Sequence, residues 1–400
     1  MSRVSWALVL SLTIAGSTPL DAQILTEQIF LEDCLTNHPG IASAEANVEA
    51  ASGVYRQAGV FANPEITWER EAPDFAARQD TLRLSWRLPF DGRRHRLAAA
   101  EATVAASKCN VLNTNLIARL EMRSLFASWY IATEREKILD ENLEQTRRLA
   151  DWLRARAEEG EAAGVEARRL DLEVEVLAQN AARARAEANA TRVAAAVWST
   201  LVSSTAAPAR PALPAPPDTA DVSDRADLNT LTHRVRAAEA QHRLQERILE
   251  PPEISVGWME IRDSVQTFDG PVLGLTWPLP FFDRNQGSRQ SAAAKVTQAS
   301  SELEFARQRA EQHLQAALAS YSGLYRVVMN TSGKAAHGDV LDAVLAAFEA
   351  GEASLTDMLD ALRATLGVEI ARLETLNRTL HAERELEAAL GRPIFPGDFS

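Results

Sequence analysis

The chain has 400 residues, 46% hydrophobic and 24% charged, with a net charge of −13 and two cysteines. That acidic balance excludes a surface built to track nucleic-acid phosphates, which draws its affinity from clustered Lys and Arg, and two cysteines exclude a disulfide-built scaffold. A composition dominated by Ala and Leu suits long packed helices rather than two or three compact domains.

In chain order, the first feature is a secretory signal peptide over residues 1–22: Arg3, then an apolar run from Trp6 to Gly16, then small and polar residues to Ala22, after which cleavage is expected. The run is about 11 residues, short of the roughly 20 that a helix needs to cross a bilayer. No later stretch offers 18 consecutive apolar residues, so a membrane role would need strands. Cys34 and Cys109 could form one disulfide but suit small apolar positions on helices. Neither follows the signal closely enough to be lipidated.

Helical spacing runs from about Thr26 to Gly59 with an interruption near Pro39. The period then drops to two. Ile66 and Trp68 alternate with Glu65, Thr67 and Glu69, and Leu82, Leu84, Trp86 and Leu88 alternate with Thr81, Arg83, Ser85 and Arg87, as in a strand pair with one apolar face. A helical stretch without proline follows over residues 93–159, and a return helix follows Gly160 and Gly164.

The second half carries the same features in the same order. Pro251-Pro252-Glu253-Ile254 answers Asn63-Pro64-Glu65-Ile66, Leu273 to Leu279 answers Leu82 to Leu88, and Ala350-Gly351-Glu352-Ala353 answers Glu159-Gly160-Glu161-Ala162. Pro64 to Pro252 is an offset of 188, whereas Leu88 to Leu279 and Gly160 to Gly351 are both 191. The organisation expected is a first repeat over 23–203 with a hairpin at 63–90, a Pro-rich linker over 204–226, a second repeat over 227–391 with a hairpin at 251–282, and a tail over 392–400. The linker is expected to act as a connection. The second long helix is expected over 287–349, and Leu355, Leu359, Leu362, Leu366, Ile370 and Leu373 form a coiled-coil stripe in its return helix.

Trp68, Trp86, Trp258 and Trp277 all fall in the four strand segments. Such tryptophans fit aromatic girdles of a barrel in a bilayer or the core of a soluble sandwich. Four strands are too few to close a barrel, and no further strands are expected elsewhere, so a membrane setting requires several copies.

With the duplicated strand-to-helix layout covering nearly the whole mature chain and the run Leu279-Pro280-Phe281-Phe282-Asp283-Arg284-Asn285-Gln286-Gly287, the sequence resembles the TolC family of outer-membrane efflux proteins, in particular the subgroup serving heavy-metal cation exporters. The resemblance implies a mainly α protomer with two β-hairpins, three copies closing a twelve-stranded barrel continuous with a periplasmic helical tunnel, an outer-membrane location, and a periplasmic adaptor with an inner-membrane RND pump as partners. It implies a passive exit duct, not an enzyme, with no cofactor and Trp68, Trp86, Trp258 and Trp277 at the lipid interface.

By the same resemblance, residues 348–360 form the helix-turn-helix at the periplasmic tip, where Asp357 and Asp360 fall on the acidic ring of the entrance and Glu166 is the first-repeat counterpart of Asp357. The two aspartates lie three apart, on one helix face; they also read as ordinary solvated carboxylates after a turn capped by Ser354 or Thr356. Gly160, Phe348, Gly351 and Ala353 occupy the gate turns. Phe348 and Ala353 replace the tyrosine and arginine that hold related channels shut, so those gate bonds cannot form here.

The histidines are scattered, with no pair at helical ligand spacing, and no phosphate loop, nucleophile elbow or His-Glu-x-x-His run occurs. Drug or other small-molecule efflux through the same tunnel and a soluble periplasmic coiled-coil adaptor are the alternative functions; an envelope hydrolase would need a cluster that the sequence lacks.

Overall fold

The computed structural model describes residues 24–72, 78–88, 92–159, 164–247, 249–331, 337–350 and 352–394. The expected signal peptide, Gly160 and Gly351 lie outside the described residues. The elements are β1 (Ile24–Leu25), α1 (Glu27–Thr36), α2 (Pro39–Ala58), β2 (Glu65–Glu71), β3 (Arg78–Arg87), α3 (Arg93–Glu158), α4 (Gly164–Ala196), β4 (Ala207–Pro208), α5 (Ala226–Gln245), β5 (Glu253–Arg262), β6 (Thr267–Thr276), α6 (Gln286–Thr331), α7 (His337–Glu349) and α8 (Leu355–Leu390).

The interruption near Pro39 separates α1 from α2, with the proline in the first turn, where its missing N–H removes no helical bond. Helix α3 carries 66 residues, about 100 Å of helix at 1.5 Å each. The second long helix is described as α6 and α7, with 332–336 between them outside the described residues.

Three expectations are corrected. Strands do occur outside the hairpins: β1 and β4 pair in parallel, Ile24 opposite Ala207 and Leu25 opposite Pro208. Two residues apiece are too few for a period-two signal. The Pro-rich segment is more than a connection, because Val222 is buried in a core cluster with Leu213 and Ala220 packed against it, and the Pro214 carbonyl accepts the hydroxyl of buried Tyr321. Its prolines prevent a helix without preventing packing. Strand β6 ends at Thr276, before Trp277. Its partner β5 begins at Glu253, just after two prolines that have no N–H to give the ladder.

The chain divides into two compact units, Met1–Asp33 with Leu125–Pro211 and Cys34–Ser124 with Ala212–Ser400. In the first, Phe30 meets Phe126 in a tilted pair and Phe126 meets Trp129 edge to face, at centroid separations of 5.4 and 5.8 Å. Helix α4 buries Ala167, Leu170, Leu177, Ala181, Ala184, Ala188 and Ala195, a stripe at spacings of three, four and seven whose small side chains permit close helix approach. Asp33 anchors the helix end by accepting from Ser199 Oγ at 2.6 Å and Thr200 N at 3.1 Å.

The second unit contains both hairpins, so the two sequence repeats share one sheet. Its helical core joins Ala310, Leu314, Ala317 and Tyr321 of α6 to Ala382, Leu386, Ala389 and Leu390 of α8. Of the coiled-coil stripe, Leu355, Leu359, Leu362 and Leu373 are buried and Leu366 and Ile370 are half-buried. At its C-terminal end Gly391 takes φ 72°, and a Cβ there would come within 3.2 Å of the Arg225 backbone, so the position excludes side chains on two grounds.

Deep in this unit, Arg123 Nη1 lies 3.0 Å from Glu383 Oε1 and bonds Glu387 as well, while Nη2 lies 3.2 Å from Glu383 Oε2. One buried guanidinium therefore serves two buried carboxylates. Burial pushes the Glu383 carboxyl up from 4.5 to about 7, with Arg123 pulling the other way and Glu387 reinforcing the rise. Across that window the folded chain keeps a proton that the unfolded chain has released, so this stabilisation is complete below about pH 4.5 and is lost as pH rises through about 7. Denaturant unfolding of the wild type and of Glu383→Gln from pH 4.5 to 7 should show the wild type losing on the order of 2 kcal/mol per protomer relative to the variant. A flat or rising difference would contradict the assignment.

Candidate functional site

The sheet is ordered β2-β3-β5-β6, antiparallel throughout. Its register gathers the apolar residues of all four strands on one face in three rows: Trp68, Leu82, Trp258 and Pro271; Ile66, Leu84, Val256 and Leu273; Trp86, Ile254 and Leu275. This face is solvent-exposed, from 38% at Trp86 to 82% at Leu273, whereas Thr81 and Ser85 on the other face are 5% and 8% exposed. A water-soluble sheet buries its apolar face instead. Glu65, Glu69, Arg83, Arg87 and Glu253 also alternate onto the polar face.

Tryptophans mark both ends of the apolar band. Trp68 and Trp258 lie next to a charged row in which Asp80 meets Arg70 at 2.6 Å and Arg78 at 2.7 Å, and Glu260 meets Arg262 at 2.5 Å. The Arg70 guanidinium lies over the Trp68 ring, 4.8 Å from its centroid. At the opposite end, Trp86 Nε1 donates to the Ala62 carbonyl at 3.0 Å and Trp277 Nε1 to the Glu250 carbonyl at 3.2 Å, the same bond made once in each repeat. Exposed Phe61, Leu279 and Phe281 continue the apolar surface beyond the sheet. One aliphatic row between two rows that carry tryptophan, with charge beyond one of them, matches the chemistry of a lipid-facing barrel wall. No described helix is long and apolar enough to cross a membrane.

The expected tip lies between α7 and α8. Ser354 caps α8 in a reciprocal box: Asp357 N donates to Ser354 Oγ at 3.3 Å, and Asp357 Oδ2 accepts from Ser354 N at 2.9 Å and Ser354 Oγ at 2.6 Å. These bonds from Ser354 hold the Asp357 carboxyl below the ordinary carboxylate range. Asp357 and Asp360 are both exposed on α8. Glu166 is exposed in the first turn of α4 and belongs to the other compact unit. Phe348, the last residue but one of α7, is half-buried; Ala353 and Glu352 donate their N–H groups to the Ala347 carbonyl at 3.2 and 2.8 Å, closing the turn through its backbone.

Sequence reasoning left out two features of the second unit. The Arg123, Glu383 and Glu387 cluster had a faint signal, Glu383 and Glu387 four apart on one helix face, but the pattern resembles a solvated surface pair. The capping use of Asp357 was visible in Ser354-x-x-Asp357, where a single carboxylate can serve both the turn and the surface.

A profile of the family described as Outer membrane efflux protein matches residues 30–201 and again residues 222–392. Cobalt-zinc-cadmium resistance protein CzcC of Cupriavidus metallidurans is 26% identical over 370 residues, covering 88% of this chain and 86% of that protein. Among solved structures, the outer membrane protein VceC of Vibrio cholerae matches with a TM-score of 0.70 at 16% identity over 92% of this chain and 97% of its own. CusC, described in terms of folding and transmembrane channel formation, matches at 0.74 and 16% identity over 92% of each chain.

Asp357 caps α8 and Asp360 makes no such bond in the box, so each carboxylate can be neutralised with the cap kept. Asp360→Asn should lower cation over anion selectivity in planar bilayers without altering the turn, and Asp357→Asn should lower it while retaining an acceptor for the cap. Unchanged selectivity in both variants would remove the pair from the conduction path.

Proposed function

Because the chain belongs to the outer membrane efflux protein family, we propose that three copies form a passive exit duct through the outer membrane and periplasm, serving a metal-cation exporter and performing no chemistry of their own. The observation that carries this reading is the exposed apolar sheet face bounded by tryptophans at both ends. In lipid that face needs no cover. The two open edges, however, cannot persist there, because unpaired backbone N–H and C=O groups have no water to bond. Joining copies edge to edge removes the problem, and three copies supply twelve strands. Glu65, Glu69, Arg83, Arg87 and Glu253 then line water inside the barrel, as the polar face of such strands does.

The helices leaving the strands supply the periplasmic part of the duct. Asp357 and Asp360 ring its entrance, where carboxylates brought together by threefold symmetry draw cations inward. The turns around residues 156–166 and 347–357 receive a periplasmic adaptor, which connects the duct to an inner-membrane RND pump. With Phe348 and Ala353 at the gate turns, closure comes from packing other than a side-chain gate bond at these two positions, or is looser.

Metal cations are the favoured cargo because the relative named for cobalt, zinc and cadmium resistance aligns over most of both chains, and because the wall and entrance carry excess carboxylate. Selection among metals then falls to the pump and adaptor. Deleting the gene should lower resistance to cobalt, zinc or cadmium while leaving resistance to organic drugs unchanged, and the gene supplied in trans should restore it. Loss of drug resistance alone would replace the cargo and keep the duct.

A further inference from the structure

The two hairpins have the same register. Ile66 pairs with Leu84 as Ile254 pairs with Leu275, and Trp68 pairs with Leu82 as Val256 pairs with Leu273. First strands are related by an offset of 188 and second strands by 191, the offsets that relate Pro64 to Pro252 and Leu88 to Leu279. The repeat is therefore preserved at the level of individual pairs.

Between the hairpins runs one junction, β3 against β5, with Trp86 opposite Ile254, Leu84 opposite Val256 and Leu82 opposite Trp258. Just beyond it the Leu88 N–H donates to the Pro252 carbonyl at 2.9 Å. Backbone groups of successive strand residues point to alternate sides, so even-numbered residues of β3 face β5, and in the same way those of β6 also face β5. The odd-numbered groups of β6, at Leu273 and Leu275, therefore point to its open edge. On β2 the even-numbered groups, at Ile66, Trp68 and Arg70, point to the other open edge.

Pro271 agrees with this phase. It sits within β6 at the position that Asp80 holds in β3, and its nitrogen, which has no hydrogen, points to the outer edge. That is the side on which a strand tolerates proline.

Resting on the trimeric duct proposed above, we infer that β6 of one copy pairs with β2 of the next in the register of the internal junction. Carrying β3 onto β6 and β5 onto β2 places Trp277 opposite Ile66, Leu275 opposite Trp68 and Leu273 opposite Arg70 of the adjacent copy. The Leu279 N–H then donates to the Pro64 carbonyl of that copy, as Leu88 does to Pro252 within one chain. Pro271 removes the next donor, so the ladder between copies stops at Leu273 beside the charged row. Trp68 and Leu275 join the apolar bands of neighbouring copies into one belt.

Thr67 and Thr276 meet across this seam as a non-hydrogen-bonded pair on the polar face, where Cα atoms approach to about 4.5 Å, a separation that a disulfide spans. In a chain with Cys34 and Cys109 replaced by Ser, Thr67→Cys with Thr276→Cys should give a covalent trimer under mild oxidation on non-reducing gels. Pairing Thr276→Cys with Glu65→Cys or Glu69→Cys, each displaced by two residues, should leave monomers. Crosslinking in a displaced pair, or none in the Thr67 and Thr276 pair while native mass spectrometry still shows trimers, would overturn the register and leave the duct intact. Absence of trimers altogether would overturn the duct and the seam with it.

Discussion

A backbone amide or carbonyl at the edge of a sheet must find a partner wherever water is missing, and that constraint governs this molecule. Its four-stranded sheet turns its apolar side chains outward and its threonines, serines and charges to the opposite face. Such a sheet is stable where the outer face meets hydrocarbon, yet there its edges at β2 and β6 become costly. Closure by further strands satisfies both demands, and the duplicated hairpin provides it without new chemistry, because the internal junction already shows how a second strand of one hairpin meets the first strand of another.

The remainder of the second unit holds this sheet to its helices with bonds that repeat twice. The indoles of Trp86 and Trp277 each tie a strand end to the carbonyl two residues before a proline. The Pro-rich segment, α6 and α8 bury a core, and buried Arg123 pairs with both Glu383 and Glu387 in the same unit. Two carboxylates on one cation make a network that would be costly half-satisfied. The Ile394 amide, donating to Glu387 at 2.9 Å, ties the chain's last described residue into it.

Much of this was legible because period-two and helical spacing are strong signals when elements are long. The alternation at Leu82, Leu84 and Trp86 located a strand, and the repeated order of motifs located its twin. The setting of those tryptophans, lipid or sandwich core, was not readable, since alternation is identical in both; the exposed face and the cross-strand register are what favour lipid. The pairing of Leu25 with Pro208 was hidden because two-residue strands have no period. The Tyr321 bond to Pro214 was hidden because proline spacing records what a segment cannot form and says nothing of what it packs against. At the tip, sequence spacing put Asp357 and Asp360 on one face, and Ser354-x-x-Asp357 carried the capping signal that sets Asp357 apart.

The most direct test of the duct is to fractionate cells expressing the processed chain and weigh the detergent-extracted protein by native mass spectrometry. An outer-membrane species of three protomers is the predicted result. A soluble periplasmic monomer would contradict it, because the apolar sheet face would then need some cover other than lipid and neighbouring copies.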